Sequence, residues 1–186
     1  MKRDKLDIIN KILLWALLAL GLYLWIFQGR IKFFVMGVLV SLASYFFAVY
    51  LLKRLDLNKP GFRLCINILL LTNIIGELYF YTHFFYFDKI LHFFNPMLFA
   101  PIVAAYFAKY GKPKKFGVFL AALGVCALWE VFEYGATYAF SYTLMGVLNS
   151  SQQFLLNPLD DTMLDLTANC FGLMIFLFFS RFDKKK

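Results

Sequence analysis

The sequence predicts an all-α, polytopic integral membrane protein of about six transmembrane helices, on three observations. Of its 186 residues, 62% are hydrophobic and 16% charged, against the roughly 25% charged residues of a soluble domain. The apolar residues come in continuous runs such as Ile12 to Phe27. Such runs supply the ~20 residues of helix that cross a ~30 Å hydrocarbon layer, and they lack the ~10-residue alternation of barrel strands. Finally, the basic residues alternate between richly and poorly charged connections.

The spans fall near 8–27, 31–52, 62–86, 90–108, 116–140 and 159–180. Lys2, Arg3 and Lys5 precede the first, which ends in Trp25-Ile26-Phe27-Gln28-Gly29-Arg30. With no small-residue cleavage pattern there, it reads as a retained helix and not a signal peptide. A short hairpin at Gln28 to Arg30 leads into the second. The third ends in the aromatic run Leu78 to Phe87, suited to a headgroup interface, and His83 within that run reads as interfacial. Asn95-Pro96 predicts a kink in the fourth, and Gly111-Lys112-Pro113 marks the turn into the fifth. Between the fifth and sixth spans, 141–158 is a loop without Lys or Arg, long enough to cover a site. No linker and no fixed-period repeat divides the chain, so residues 1–186 read as a single transmembrane domain.

Orientation follows from the cationic residues. Four Lys or Arg lie in each of the N-terminal segment, the second connection, the fourth connection and the C-terminal segment. The other connections hold Arg30, Lys32 and Lys89 alone. The positive-inside rule therefore puts both termini in the cytoplasm and the loop 141–158 outside. The net charge of +8 is then a consequence of topology and of attraction to anionic lipids. Membrane lipids are the expected partners. No basic stripe is grouped with stacking aromatics, which argues against nucleic acid. The expected location is a cell membrane crossed several times, of the prokaryotic plasma-membrane kind. Cys65, Cys126 and Cys170 sit inside spans without metal-like spacing and read as packed thiols.

The acids carry the functional signal. Asp4, Asp7, Asp56 and Asp183 lie in basic cytoplasmic segments and read as solvated charges. The predicted topology brings Glu77, Asp88, Glu130, Glu133, Asp161 and Asp165 to the outer half of the bilayer, with Asp160 solvated beside them. An embedded charge costs ~2.5–3.5 kcal/mol on insertion scales, so such groups face a protein interior and pair there. Asp88 and His92 are spaced i,i+4, Glu130 and Glu133 i,i+3, and Asp161, Asp165 and Asn169 form an i,i+4,i+8 series, so each set shares one helix face. Gly172 continues the last face, where a missing side chain admits a close neighbour. Taken alone, Asp88 and Asp161 read as helix N-caps, and Trp129 as packing.

With so few cations outside, the carboxylates must be protonated or gather around a cation. A divalent ion is the economical solution. Oxygen ligands with one imidazole suit Mg, Mn, Fe or Zn. The candidate ligands are Glu77, Asp88, His92, Glu130, Glu133, Asp161, Asp165 and Asn169. Glu130, Glu133, Asp165 and His92 are the candidate catalytic groups, and Lys89 the candidate contact for an anionic headgroup.

Asp88-Lys89-Ile90-Leu91-His92-Phe93, Trp129-Glu130-Val131-Phe132-Glu133 and Asp161 to Gly172 resemble, in order, motifs of the YjdF-type membrane proteins and more distantly of the VanZ-like family. The resemblance spans roughly residues 73 to 180. It implies that the motif residues form one site and carries no reaction with it. The Glu-x-x-Glu pair ending in Glu133 departs from the Glu/Gln-type arrangement expected of VanZ-like proteins, which removes support for an antibiotic-resistance role.

Three functions compete. A metal-dependent hydrolase or transferase acting on a lipid headgroup or lipid-linked phosphate leads, because of the site's depth and sidedness. A cation or proton transporter also uses embedded carboxylates. An accessory protein holding a structural ion is the third.

Overall fold

The computed structural model describes residues 3–28, 38–76, 80–81, 84, 86–140, 147–148 and 154–180. Within them lie six α-helices: α1 (Arg3–Gln28), α2 (Val40–Arg54), α3 (Pro60–Ile75), α4 (Phe87–Phe107), α5 (Lys115–Phe140) and α6 (Pro158–Phe179). A two-stranded antiparallel ribbon, β1 (Val147–Leu148) with β2 (Phe154–Leu156), pairs Val147 with Leu156 and Leu148 with Phe154. The ribbon lies in the segment expected to be a loop. Apart from it, the described residues have the all-α character the sequence predicts.

Helical stretches over Lys5–Tyr23, Phe87–Phe107, Lys115–Gly135 and Pro158–Phe179 are long and apolar enough to cross a membrane. The protein is a multi-pass membrane protein by that measure. Helix α3 is apolar but shorter. Parts of the spans predicted at 31–52 and 62–86 fall outside the described residues.

The chain divides into two compact units, Met1–Glu77 and Leu78–Lys186. In the first, α3 packs against both α1 and α2. Helix α2 ends where Asp56 takes a left-handed φ of 51°, letting the Leu57 amide reach the Leu52 carbonyl at 2.7 Å. That is a Schellman closure, and Leu57 is buried beneath it. Between α1 and α3, Asn67 Nδ2 donates to Asn10 Oδ1 at 2.6 Å, and Asn10 Nδ2 donates to the Pro60 carbonyl at 3.1 Å. Asp7 pairs with Arg63. This corrects the expectation that Asp7 is an ordinary solvated charge, since its partner lies 56 residues away in sequence.

In the second unit, α4, α5 and α6 pack against one another. Their buried residues repeat at i,i+4: His92, Pro96, Ala100 and Ala104 on α4; Val118, Ala122, Cys126 and Glu130 on α5; Asp161, Asp165, Asn169, Leu173 and Leu177 on α6. Each row is apolar at one end and polar at the other. Ala100, Ala122 and Leu173 form one layer of the apolar end, and Ala104, Val118 and Leu177 another. Small residues on α4 and α5 facing Leu on α6 bring the helices close, as membrane helices pack. At that end Lys115 Nζ donates to the Leu177 carbonyl at 2.7 Å. It satisfies one of the orphan acceptors of the last turn of α6.

Gly172 sets the approach of α6 to α4. A Cβ there would lie 2.0 Å from the Phe93 carbonyl oxygen, a clash with backbone that no side-chain movement relieves. The close packing expected of Gly172 is therefore present, with α4 as the neighbour. Pro96 and Pro101 sit inside a continuous α4. Pro96 removes the amide that would bond the His92 carbonyl in a regular helix. Gly111, with φ 146°, makes the turn between α4 and α5.

Candidate metal centre

The polar ends of the three rows come together within the second unit. Helix α4 contributes Asp88, Lys89 and His92 from its first turns, α5 contributes Glu130 and Glu133, and α6 contributes Asp161, Asp165 and Asn169. Glu130 is 4% exposed, and Asp165 and Asn169 are each 2% exposed. Eight of the nine residues singled out in the sequence thus share one site. The ninth, Glu77, lies outside the described residues.

Neither Asp88 nor Asp161 is a cap, contrary to the sequence expectation. The N-cap of α6 is Asn157, whose Oδ1 accepts from the Asp160 amide at 3.0 Å, with Pro158 at the first helical position. Asp160 stays exposed and receives the Asn157 side-chain amide at 2.5 Å. This leaves Asp161, one residue further on, facing inward. At α4 the N-cap position is Tyr86, which makes no side-chain cap bond. Asp88 instead turns to Lys89 and His92.

Lys89 is the second departure. Its ammonium, expected to face a headgroup, lies 3.0 Å from Asp88 Oδ2, 2.6 Å from Asp165 Oδ1, and in direct contact with Asp161 Oδ1. Three aspartates from two helices therefore hold one internal cation.

His92 stands between this triad and the glutamates. Its Nε2 is nearest Asp88 Oδ1 at 3.5 Å and Asp165 Oδ1 at 3.8 Å. Its Nδ1 lies 3.1 Å from Asn169 Nδ2 and 3.5 Å from Glu130 Oε1. Ionised carboxylates only accept, whereas an amide nitrogen donates. Carboxylates thus lie against both ring nitrogens, Asp88 and Asp165 at Nε2 and Glu130 at Nδ1, with the Asn169 amide as the second neighbour of Nδ1. A ring oriented by carboxylates at Nε2, with further ligand groups gathered at Nδ1, is a pose suited to a metal-binding histidine.

Two groups of side chains place ligand atoms within 4.8 Å of one another: Asp88, His92 and Asp165, and His92, Glu130 and Glu133. The second lies on the Nδ1 side of the ring. Glu130 Oε1 is fully buried and has no hydrogen-bond partner among the described residues. The Thr162 hydroxyl lies beside the same carboxylate and can donate to it, although neither atom makes a hydrogen bond of normal geometry among the described residues. Glu133 is oriented by Trp129, whose Nε1 donates to Glu133 Oε1 at 2.8 Å. Trp129 is thus more than packing, and its spacing of four from Glu133 was the available signal. No sequence cue pointed to Thr162.

Fold and site together define a multi-pass membrane protein with a buried carboxylate and histidine cluster at one end of a three-helix unit. The chain belongs to the family described as predicted membrane protein (DUF2238), which matches residues 9–186. No curated protein and no solved structure matches it.

Proposed function

We propose that the protein is a metal-dependent hydrolase or transferase acting on a lipid headgroup or lipid-linked phosphate from the outer side of the membrane. The observation that carries the reading is the Glu130 Oε1 atom, buried without a hydrogen-bond partner among the described residues and 3.5 Å from His92 Nδ1. A buried ionised acceptor without a donor is costly, and a cation beside it removes the cost. On this reading a divalent ion, Mg, Mn, Fe or Zn, sits against His92 Nδ1 and Glu130. Asn169 would join them once its amide turns to present the oxygen in place of Nδ2, which lies 3.1 Å from His92 Nδ1, and Glu133 completes the shell or takes the proton from the nucleophile. Asp88 and Asp165 orient the imidazole.

The ion supplies Lewis acidity toward a phosphoryl or carbonyl oxygen and lowers the pKa of water. Glu133, positioned by the Trp129 ring N–H, is the general base. The Lys89 ammonium is engaged by three aspartates, so an anionic headgroup would be met by an ion held at His92 and Glu130 and not by this lysine.

The same reading keeps six spans, cytoplasmic termini and a prokaryotic plasma membrane. The distribution of Lys and Arg then directs the acidic end outward. The resemblance of the three motifs to YjdF-type and VanZ-like sequences adds weight to treating these residues as one site.

The test is elemental analysis of protein purified in detergent and loaded with Mn²⁺ or Zn²⁺. It is paired with phosphate release from a panel of phospholipids and polyprenyl phosphates. Retention of the metal in both His92→Ala and Glu130→Gln would falsify the centre. Metal binding without turnover of any lipid phosphate would leave an accessory metal-binding protein.

A further inference from the structure

We infer that Lys89 is a built-in second cation of the site, standing where a binuclear centre would hold its second metal, so that the protein takes one divalent ion per chain. The inference rests on the metal reading above and adds what fixes its stoichiometry.

The Lys89 ammonium makes the contacts of a bound cation. Asp88 Oδ2 is at 3.0 Å, Asp165 Oδ1 at 2.6 Å, and Asp161 Oδ1 is in direct contact. Those oxygens come from two helices, and Asp161 and Asp165 are both buried. Asp88 and Asp165 also form one of the two groups, with His92, whose geometry suits a metal ion. An ammonium and a dication cannot share those oxygens, because like charges at that separation repel strongly in a low-dielectric site. The triad is therefore filled from within the chain.

The other group differs in each respect. No lysine or arginine reaches Glu130 or Glu133 in any ion pair among the described residues. Two carboxyl groups together can balance one dication, and His92 Nδ1 lies 3.5 Å from Glu130 Oε1. The residual negative charge of the triad, three carboxylates against one ammonium, adds attraction for a dication on the neighbouring side of the ring. In two-metal hydrolases the paired ions clamp the attacking and leaving oxygens. A fixed ammonium in one position keeps that charge without needing a second ion from solution.

Removing the ammonium while keeping its three carboxylates opens the second position. Purified protein is equilibrated with Mn²⁺, freed of excess ion and counted for manganese per chain, with spin–spin coupling followed by electron paramagnetic resonance. Wild-type protein and Lys89→Arg are expected to hold one ion, and Lys89→Ala two, with the dipolar broadening of a close pair. Two ions in wild type, or one in a folded Lys89→Ala, overturn the inference while leaving the metal centre intact. No ion in wild type overturns the centre itself. Should Lys89→Ala fail to fold, Lys89→Ser repeats the count with a small polar side chain in the same place.

Discussion

The two units of the chain bury polar side chains in different ways. In Met1–Glu77 the polar groups are matched in kind. Asn10 meets Asn67 amide to amide, and Asp7 meets Arg63 charge to charge. The leftover atoms there, Arg63 Nε and Asn58 Oδ1, belong to single side chains, and among the described residues neither is part of a group of acids and histidines that could hold an ion. In Leu78–Lys186 five carboxylates gather around one lysine and one histidine, and Glu130 Oε1 makes no hydrogen bond of normal geometry among the described residues. Matched polar groups hold helices in register, whereas an excess of one sign in a buried site attracts something from outside the chain. Burial of polar residues alone does not mark a functional site in a membrane protein. The imbalance does.

That contrast can be broken most forcefully at Gly172. Gly172→Ala drives a methyl group into the Phe93 carbonyl at 2.0 Å. We expect a loss beyond the ~1–3 kcal/mol of ordinary overpacking, read as collapse of folded yield and of the thermal transition in detergent, with the metal lost too. At Gly21 in the first unit, the added Cβ would meet a Val38 methyl carbon at 2.4 Å. A side chain yields where backbone does not, so Gly21→Ala is expected to lower stability less and to leave the metal bound.

Next in size is Glu130→Gln. On the proposed reading the amide removes a negative ligand, and affinity for Mn²⁺ should fall by more than the ~10–100-fold typical of losing an outer-shell partner. Isothermal titration reads this directly, and an unchanged affinity would place the ion elsewhere. The counterpart in the first unit is Asn67→Ala. It strands Asn10 Oδ1 and should cost ~1–3 kcal/mol of stability with metal affinity unchanged. Any loss of metal there would mean that the two polar sets are coupled.

Trp129→Phe is a finer probe. It keeps an aromatic ring and deletes the donor to Glu133 Oε1, so a roughly tenfold loss in turnover is expected with the metal retained. Smallest of all, Asp7→Asn breaks a partly exposed ion pair and should shift stability by about 1 kcal/mol or less, measured by thermal melting.

Much of this was legible in advance. Helix positions in the second unit follow from runs of apolar residues bounded by Pro158, by the Gly111-Lys112-Pro113 turn and by charged residues, because length and hydropathy are local properties. The site residues were legible for a related reason. A carboxylate in the middle of an apolar run has no solvent to face, and i,i+4 spacing fixes which face it takes. Two readings failed where a neighbour two to four residues away competed for the same role. Asn157 takes the cap that Asp161 was expected to make. Asp88, in the first turn of α4, turns inward while Tyr86 occupies the cap position.

The sequence by itself determined the membrane address, the helices of the second unit and the alignment of its acids along single helix faces, since hydrophobicity and helical periodicity act over a few turns. Only the tertiary structure decided which groups pair across helices. The Lys89 ammonium finds Asp161 and Asp165 at separations of 72 and 76 residues, and Asn169 finds His92 at 77. Those meetings depend on how closely α4 and α6 approach. Gly172 sets that approach through an atom it lacks.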